Sequence, residues 1–337
     1  MKSLPRIGIT MGDPAGIGPE ITVKALSSPD LYRVCRPVVL GAVEALGKAA
    51  EFTPGVKLRE VNAIEGAGEE PGCVDILPVA LVAGSRIRPG EPTLEGGKAM
   101  MSAVVAAVEA ALKGDLAAVV TCPINKALMK RSGWDFDGHT ELLSHLTGAD
   151  EVAMMLAGAR LRVVLATVHC ALAEVPRILT KEKILKAVRL AHRALLSDFG
   201  IAHPRLAVAA LNPHAGEEGL FGSEEKQVIE PAVKEARSMG IHAVGPLPAD
   251  TVFYKAAAGG FDAVVSMYHD QGLIPLKLLH FTDGVNVTLG LPIIRTSVDH
   301  GTAYDIAGKG CADPASLEAA VRMAASMAAH RRKRRKT

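Results

Sequence analysis

Three histidines in this 337-residue chain stand where an imidazole can do chemistry. His169, His214 and His269 each follow a short apolar run with the composition of a strand: Arg162–Thr167, Leu206–Leu211 and Val264–Met267. Ligands of an open α/β sheet bind outside the carboxyl ends of its strands, so three side chains at three such ends can converge on one point. Neutral imidazole is a strong ligand for Zn²⁺, Co²⁺ or Ni²⁺, and three protein ligands leave positions open for substrate. For any one of the three, a surface or loop role is the ordinary reading. Their matching positions are what favours a metal. Asp270 directly follows His269, and Asp250 sits in the turn Pro248-Ala249-Asp250-Thr251. Either carboxylate could ligate a cation, orient an imidazole or move a proton. Turn formation or helix capping is the plainer role for both. A second, cationic set comprises Lys277, Asn286 and Arg295. Arg offers phosphate a bidentate fork and Lys a point charge, although a solvated face would give the same pattern.

The elements that must position these groups are legible as short β-rich runs alternating with longer helical ones, the pattern of βαβ units and a largely parallel sheet. Strands are expected at Arg6–Thr10, Pro37–Leu40, Ala117–Thr121, Leu161–Thr167, Arg205–Leu211, Ala263–Met267 and Gly284–Thr288. Leu94–Lys113 carries Met101, Val104, Val105, Val108 and Leu112 at helical spacing, and Gly114 follows as a stop signal. Thr180–Phe199 repeats that design with Ile184, Leu185, Val188, Leu195 and Leu196. Both stripes are core faces. The Gly-rich start, Gly12 to Glu20, follows the first strand and opens a helix with Pro19 in its first turn. It is neither G-x-G-x-x-G nor a Walker A sequence, so it supports no Rossmann dinucleotide site or NTPase P-loop.

Composition bounds the rest. The length suits two domains, and no Pro/Gly/Ser-rich linker separates two halves. Aromatic residues make up only 4%, which argues against a base-stacking surface for nucleic acid. The net charge of +2 is an average. Arg331, Arg332, Lys333, Arg334, Arg335 and Lys336 form a basic run, and the remainder carries 32 basic against 36 acidic residues. That run reads as a solvated, disordered tail. The five cysteines are scattered and form no C-x-x-C. No apolar leader or membrane-length stretch is apparent, so a reducing cytoplasmic setting is expected.

Four segments carry a resemblance. Gly12-Asp13-Pro14-Ala15-Gly16-Ile17-Gly18-Pro19-Glu20, Asp137-Gly138-His139-Thr140-Glu141, Leu211-Asn212-Pro213-His214-Ala215-Gly216-Glu217 and Met267-Tyr268-His269-Asp270-Gln271-Gly272 together resemble the 4-hydroxythreonine-4-phosphate dehydrogenase family of pyridoxal phosphate biosynthesis. The resemblance implies a fold of two α/β/α lobes with mostly parallel sheets, like isocitrate and isopropylmalate dehydrogenases. It implies that His169, His214 and His269 are ligands of one divalent ion (Zn, Mg or Co). It also makes His139 and Thr140 substrate-binding residues, with Lys277, Asn286 and Arg295 near the phosphate. A homodimer with active sites at the subunit interface is implied as well.

The run from His300 to Gly310 looks like the loop that holds the adenosine half of NAD in isopropylmalate dehydrogenases, where the pattern is His-Gly-Ser-Ala-Pro-Asp-Ile-Ala-Gly. His300, Gly301, Thr302, Ala303 and Asp305 are therefore expected to bind NAD or NADP. Thr302 and Tyr304 depart from the pattern, and a glycine-rich turn before a final helix is the alternative. The expected lobes are 1–125 with 275–330 on the nucleotide and phosphate side, 126–274 as the metal and dimerisation lobe, and 331–337 as the tail.

The implied reaction is oxidation of the secondary alcohol of 4-phosphohydroxy-L-threonine, followed by decarboxylation to 3-amino-2-oxopropyl phosphate, with Asp250 or Asp270 accepting the proton. The rival inside the family is a D-threonate or D-erythronate 4-phosphate dehydrogenase. Outside it stand a three-His metal-dependent aldolase-type lyase on a sugar phosphate and a non-catalytic phosphometabolite sensor. A phosphorylated hydroxy acid is the expected partner, with no membrane and no nucleic acid.

Overall fold

The computed structural model describes residues 4–79 and 87–334. Its strands are β1 Arg6–Thr10, β2 Arg36–Gly41, β3 Lys57–Glu60, β4 Cys73–Pro78, β5 Ala118–Thr121, β6 Ala153–Ala157, β7 Arg162–Leu165, β8 Leu206–Ala209, β9 Ala243–Leu247, β10 Ala263–Ser266, β11 Val285–Leu289 and β12 Arg295–Val298. The chain divides into two compact units. One comprises residues 1–150 with 291–329, the other 151–290 with 330–337. The sequence had suggested cuts at 125 and 275.

In the first unit the strand order is β3-β4-β2-β1-β5-β12, and every pairing is parallel. Ile7, Ile9, Val38, Val39, Val119 and Val120 are all fully or almost fully buried, as expected where helices cover both faces of a parallel sheet. Helix Leu94–Lys113 begins at Thr93, whose hydroxyl accepts from the Gly96 N–H at 3.1 Å, and ends at Gly114 with φ +89°. Met100, Met101, Ala103, Val104, Ala107 and Val108 form its buried face. Leu112, expected in that stripe, is exposed instead. The stripe turns toward small alanines, which let the helix lie close to the sheet.

The second unit has the order β11-β6-β7-β10-β8-β9. β6 runs antiparallel to both neighbours, and the remaining pairings are parallel. Its core joins Val163, Leu165, Ala207 and Val264 of the sheet to Val252, Phe253, Leu273 and Leu276 on helices Ala249–Ala257 and His269–Leu279. Each such Val, Leu or Phe side chain contributes roughly 1.5–3 kcal/mol on burial.

The basic run differs from the expected disordered tail. Residues 331–334 continue helix Ala315–Arg334, and Arg331 donates from Nε to Asp198 Oδ1 at 2.5 Å and from a terminal nitrogen to Oδ2 at 3.0 Å. Asp198 caps helix Lys181–Ser197 and is 4% exposed, so its carboxylate needs a cation. Cations at a helix C-terminus are also favoured by its dipole. Arg335 and Lys336 lie outside the described residues. Among the described residues no helix is long and apolar enough to cross a membrane.

Candidate active site

Two of the three histidines are brought together by bonds between neighbouring strand exits. Past the end of β7, the Ala166 N–H donates to Ser266 O at 2.8 Å and the Thr167 hydroxyl donates to Met267 O at 2.7 Å. Those links hold His169 beside His269, with ring centroids 5.7 Å apart. A cavity of about 630 Å³ opens there, lined by Val168, His169, Cys170, Tyr268, His269 and Asp270, among others. The carboxylate of Asp270 lies 2.7 Å from His269 Nδ1. That contact engages Nδ1 and leaves Nε2 as the nitrogen available to a ligand.

His214 follows β8, the other neighbour of β10, but its ring stands 6.2 Å from Phe221. It opens an unusual left-handed turn in which five successive residues, His214 to Glu218, have φ between +40° and +77°. Buried Glu225 holds the entry to this turn. It accepts from the Leu211 and Asn212 N–H groups at 2.9 and 2.8 Å and from Asn212 Nδ2 at 3.0 Å. Gln271 ties the same exit to β10, accepting from the Met267 N–H at 2.7 Å and donating to Ala210 O at 2.6 Å. Among the described residues no group of three His, Cys, Asp or Glu side chains is close enough to hold a metal ion. By donor chemistry, three imidazoles at the exits of three adjacent strands suit a divalent ion, and two of them already adjoin.

Asp250, in the first turn of helix Ala249–Ala257, lines a second groove of about 560 Å³ together with Tyr268 and Asp270. Tyr254, Ile274 and Leu278 in this groove are exposed by 67% or more. Lys277 is half-buried in the last turn of helix His269–Leu279. Asn286 faces Leu156 in the β11–β6 ladder, and its Oδ1 is sealed from water without a hydrogen-bond partner.

The remaining substrate candidates belong to the first unit. His139 and Thr140 open helix His139–Thr147. Arg295 begins β12 and is 3% exposed, with Nε and a terminal nitrogen donating to Thr121 Oγ1 at 3.1 and 2.7 Å. Burial pushes its pKa down to about 9. His139 is pushed well below its ordinary 6.5, mainly by burial and then by the nearby charges of Arg295 and Lys126. Its Nε2 is sealed from water and has no hydrogen-bond partner. A neutral imidazole beside two cations makes a cluster suited to an anion.

A pH dependence follows. Because the folded pKa of His139 is lowered, the unfolded chain takes up this proton first as pH falls. The contribution is complete above pH ~6.5 and is lost below it at up to about 1.4 kcal/mol per pH unit. In melting temperatures measured from pH 7 to 5, His139→Gln is expected to show a shallower acid decline than the parent protein.

Thr121, Lys126, Gln271 and Glu225 are site residues that the sequence reading missed. Gln271 had a local signal, its place inside the Met267–Gly272 motif.

The first unit offers a cationic cluster and the second a pair of histidines at strand exits, residue types that suit an α/β enzyme acting on a small anionic metabolite. The model of the family described as Pyridoxal phosphate biosynthetic protein PdxA matches residues 33–324. The chain is 54% identical over 333 residues to a 4-hydroxythreonine-4-phosphate dehydrogenase of Desulfosudis oleivorans, covering 98% of each chain. It is 45% identical to a D-threonate 4-phosphate dehydrogenase of Cupriavidus necator, covering 97% of this chain and 98% of that one. The crystal structure of a 4-hydroxythreonine-4-phosphate dehydrogenase from Klebsiella pneumoniae superposes with a TM-score of 0.90 at 41% identity, over 96% of this chain and 99% of that one. This chain belongs to the PdxA family. It is a dehydrogenase, an oxidoreductase of pyridoxal phosphate biosynthesis that works with a nicotinamide acceptor.

Proposed function

We propose that this chain oxidises the secondary alcohol of 4-phosphohydroxy-L-threonine with NAD or NADP, and that the resulting 2-amino-3-oxo acid phosphate loses CO₂ to give 3-amino-2-oxopropyl phosphate. The observation that carries this reading is full-length identity of 54% to a relative of that name, on a chain that also has the histidine pair and the cationic cluster. His169, His214 and His269 would hold one divalent ion, of zinc, magnesium or cobalt. What such an ion supplies when bound is Lewis acidity toward the substrate hydroxyl.

The chain's own groups do the rest. Asp270 orients the His269 ring through Nδ1, which leaves Asp250, on the groove it shares with Asp270, as the carboxylate to take the hydroxyl proton. Arg295, Lys277 and Asn286 hold the phosphate, with His139 and Thr140 orienting the adjoining part of the substrate. His300, Gly301, Thr302, Ala303 and Asp305 take the adenosine half of the nucleotide. The apolar side chains of Tyr254, Ile274, Leu278 and Phe281, all highly exposed, suit burial in a homodimer. The five unpaired cysteines suit the cytoplasm.

The Cupriavidus necator relative favours a second reading, oxidation of D-threonate or D-erythronate 4-phosphate. Initial rates on metal-reconstituted protein, with both kinds of acid phosphate and both nucleotides, decide between them. A site built around the substrate ammonium should penalise the hydroxyl analogue. A higher kcat/KM for the threonate or erythronate phosphate overturns the first reading in favour of the second. No reduced nicotinamide with any substrate overturns both and leaves the lyase.

A further inference from the structure

We propose that Tyr304 is a positioning residue: its hydroxyl clamps the loop 300–310 to the buried carboxylate of Asp13, fixing the conformation that receives the adenosine half of the nucleotide. The inference rests on the reading of that loop as the nucleotide site.

The clamp is a single hydroxyl joining three distant segments. Tyr304 OH donates to Asp13 Oδ2 at 2.6 Å and accepts from Asn125 Nδ2 at 2.7 Å, spanning 291 and 179 residues of sequence. Asp13 is fully buried and is itself fixed. Its Oδ1 accepts from the Ala15 N–H at 2.9 Å, and its own N–H donates to Pro123 O at 3.0 Å. Burial pushes the Asp13 carboxyl upward and the Tyr304 phenol to about 12, so the phenol remains a donor at neutral pH. Asn125 also caps helix Lys126–Arg131, accepting from the Leu128 N–H at 3.0 Å. The Tyr304 hydroxyl thus reaches the turn that presents Lys126 near His139.

Backbone strain indicates why a clamp is needed. Ala303, just before Tyr304, has φ +45°, a left-handed conformation that a residue with a Cβ keeps only where its surroundings impose it. On one side Thr302 O accepts from the Ile17 N–H at 3.0 Å, and Gly16 leaves room for it, since a Cβ there would lie 2.9 Å from that oxygen. On the other side stands the Tyr304 hydroxyl. The isopropylmalate dehydrogenase pattern has proline at this position, which restrains φ through its ring. In this chain the restraint comes from a hydrogen-bonded side chain.

Tyr304→Phe keeps the ring and removes the clamp, and Asp13→Asn removes the charged acceptor while keeping the shape. Both are read by fluorescence titration of reduced nucleotide, by steady-state rates and by thermal melting. The expected result is a nucleotide Kd and KM raised roughly tenfold, the worth of one charge-assisted hydrogen bond. kcat at saturation should stay within about twofold, and substrate KM should not change. Asp305→Ala tests the loop itself. Weakened nucleotide binding in Asp305→Ala with parental binding in Tyr304→Phe and Asp13→Asn overturns the clamp alone. Parental binding in all three variants overturns the clamp and the nucleotide reading together. A fall in kcat with unchanged nucleotide affinity also overturns the clamp, because it would make Tyr304 a participant in the chemistry.

Discussion

His269→Ala is expected to lower kcat/KM by about three orders of magnitude or more while the protein stays folded. His269 is half-buried at the first position of helix His269–Leu279, and its Nδ1 is taken by Asp270. Truncation to alanine opens no core cavity, and alanine is a good helix former. The loss therefore falls on the chemistry. Asp270→Asn should cost less, about 10- to 100-fold, because it disturbs only the orientation of the ring. The decisive measurement pairs turnover with metal content after chelation and reconstitution. His269→Ala should bind less metal than the parent at equal protein concentration. Full turnover by chelated parent protein would overturn the three-histidine reading, as would parental metal affinity in His269→Ala.

That prediction depends on a feature the sequence exposed well and another it concealed. Histidines after apolar runs were legible because β7, β8 and β10 are short and almost wholly apolar, so their exits could be located to within a few residues. β3 was not legible, because Lys57-Leu58-Arg59-Glu60 is an edge strand with three charged residues and no apolar run. β6, Ala-Met-Met-Leu-Ala, has helix-forming composition and becomes a strand only through pairing with β7 and β11. β9 contains Gly245 and Pro246, which read as a turn. β12 begins with a buried arginine, which attracted a binding role and hid the strand that carries it.

In the site itself, residue types were readable but mutual supports were not. Glu225, Gln271 and Asp13 act through contacts with residues between 2 and 291 positions away. Only folding shows which carboxylates and amides are buried and which backbone groups they satisfy. The same is true of the basic run. Six like charges signal solvation, and only the capping position of Asp198 turns Arg331 into an anchor.

Arg295→Met is expected to act with opposite signs on activity and stability. The guanidinium is almost fully buried, it donates twice to the neutral hydroxyl of Thr121, and desolvation lowers its pKa. Holding a cation in such a place carries a desolvation cost that an apolar side chain of similar volume does not. Methionine fits the space with a flexible chain. Melting temperature should therefore hold or rise. The same charge also pushes the pKa of His139 down, so the acid limb of stability should flatten as it does in His139→Gln. Activity should move the other way. A bidentate donor for a phosphate dianion cannot be replaced by an apolar group, and kcat/KM for the acid phosphate should fall by about 100-fold or more, mainly through KM. Arg295→Lys keeps a charge but loses the fork, and should fall between the two. If Arg295→Met melted well below the parent, the guanidinium would be a structural strut of β12 and β5. If it melted at or above the parent with unchanged KM, the phosphate would be held elsewhere. A raised KM at parental or higher melting temperature identifies a cation kept for its ligand against the preference of the fold.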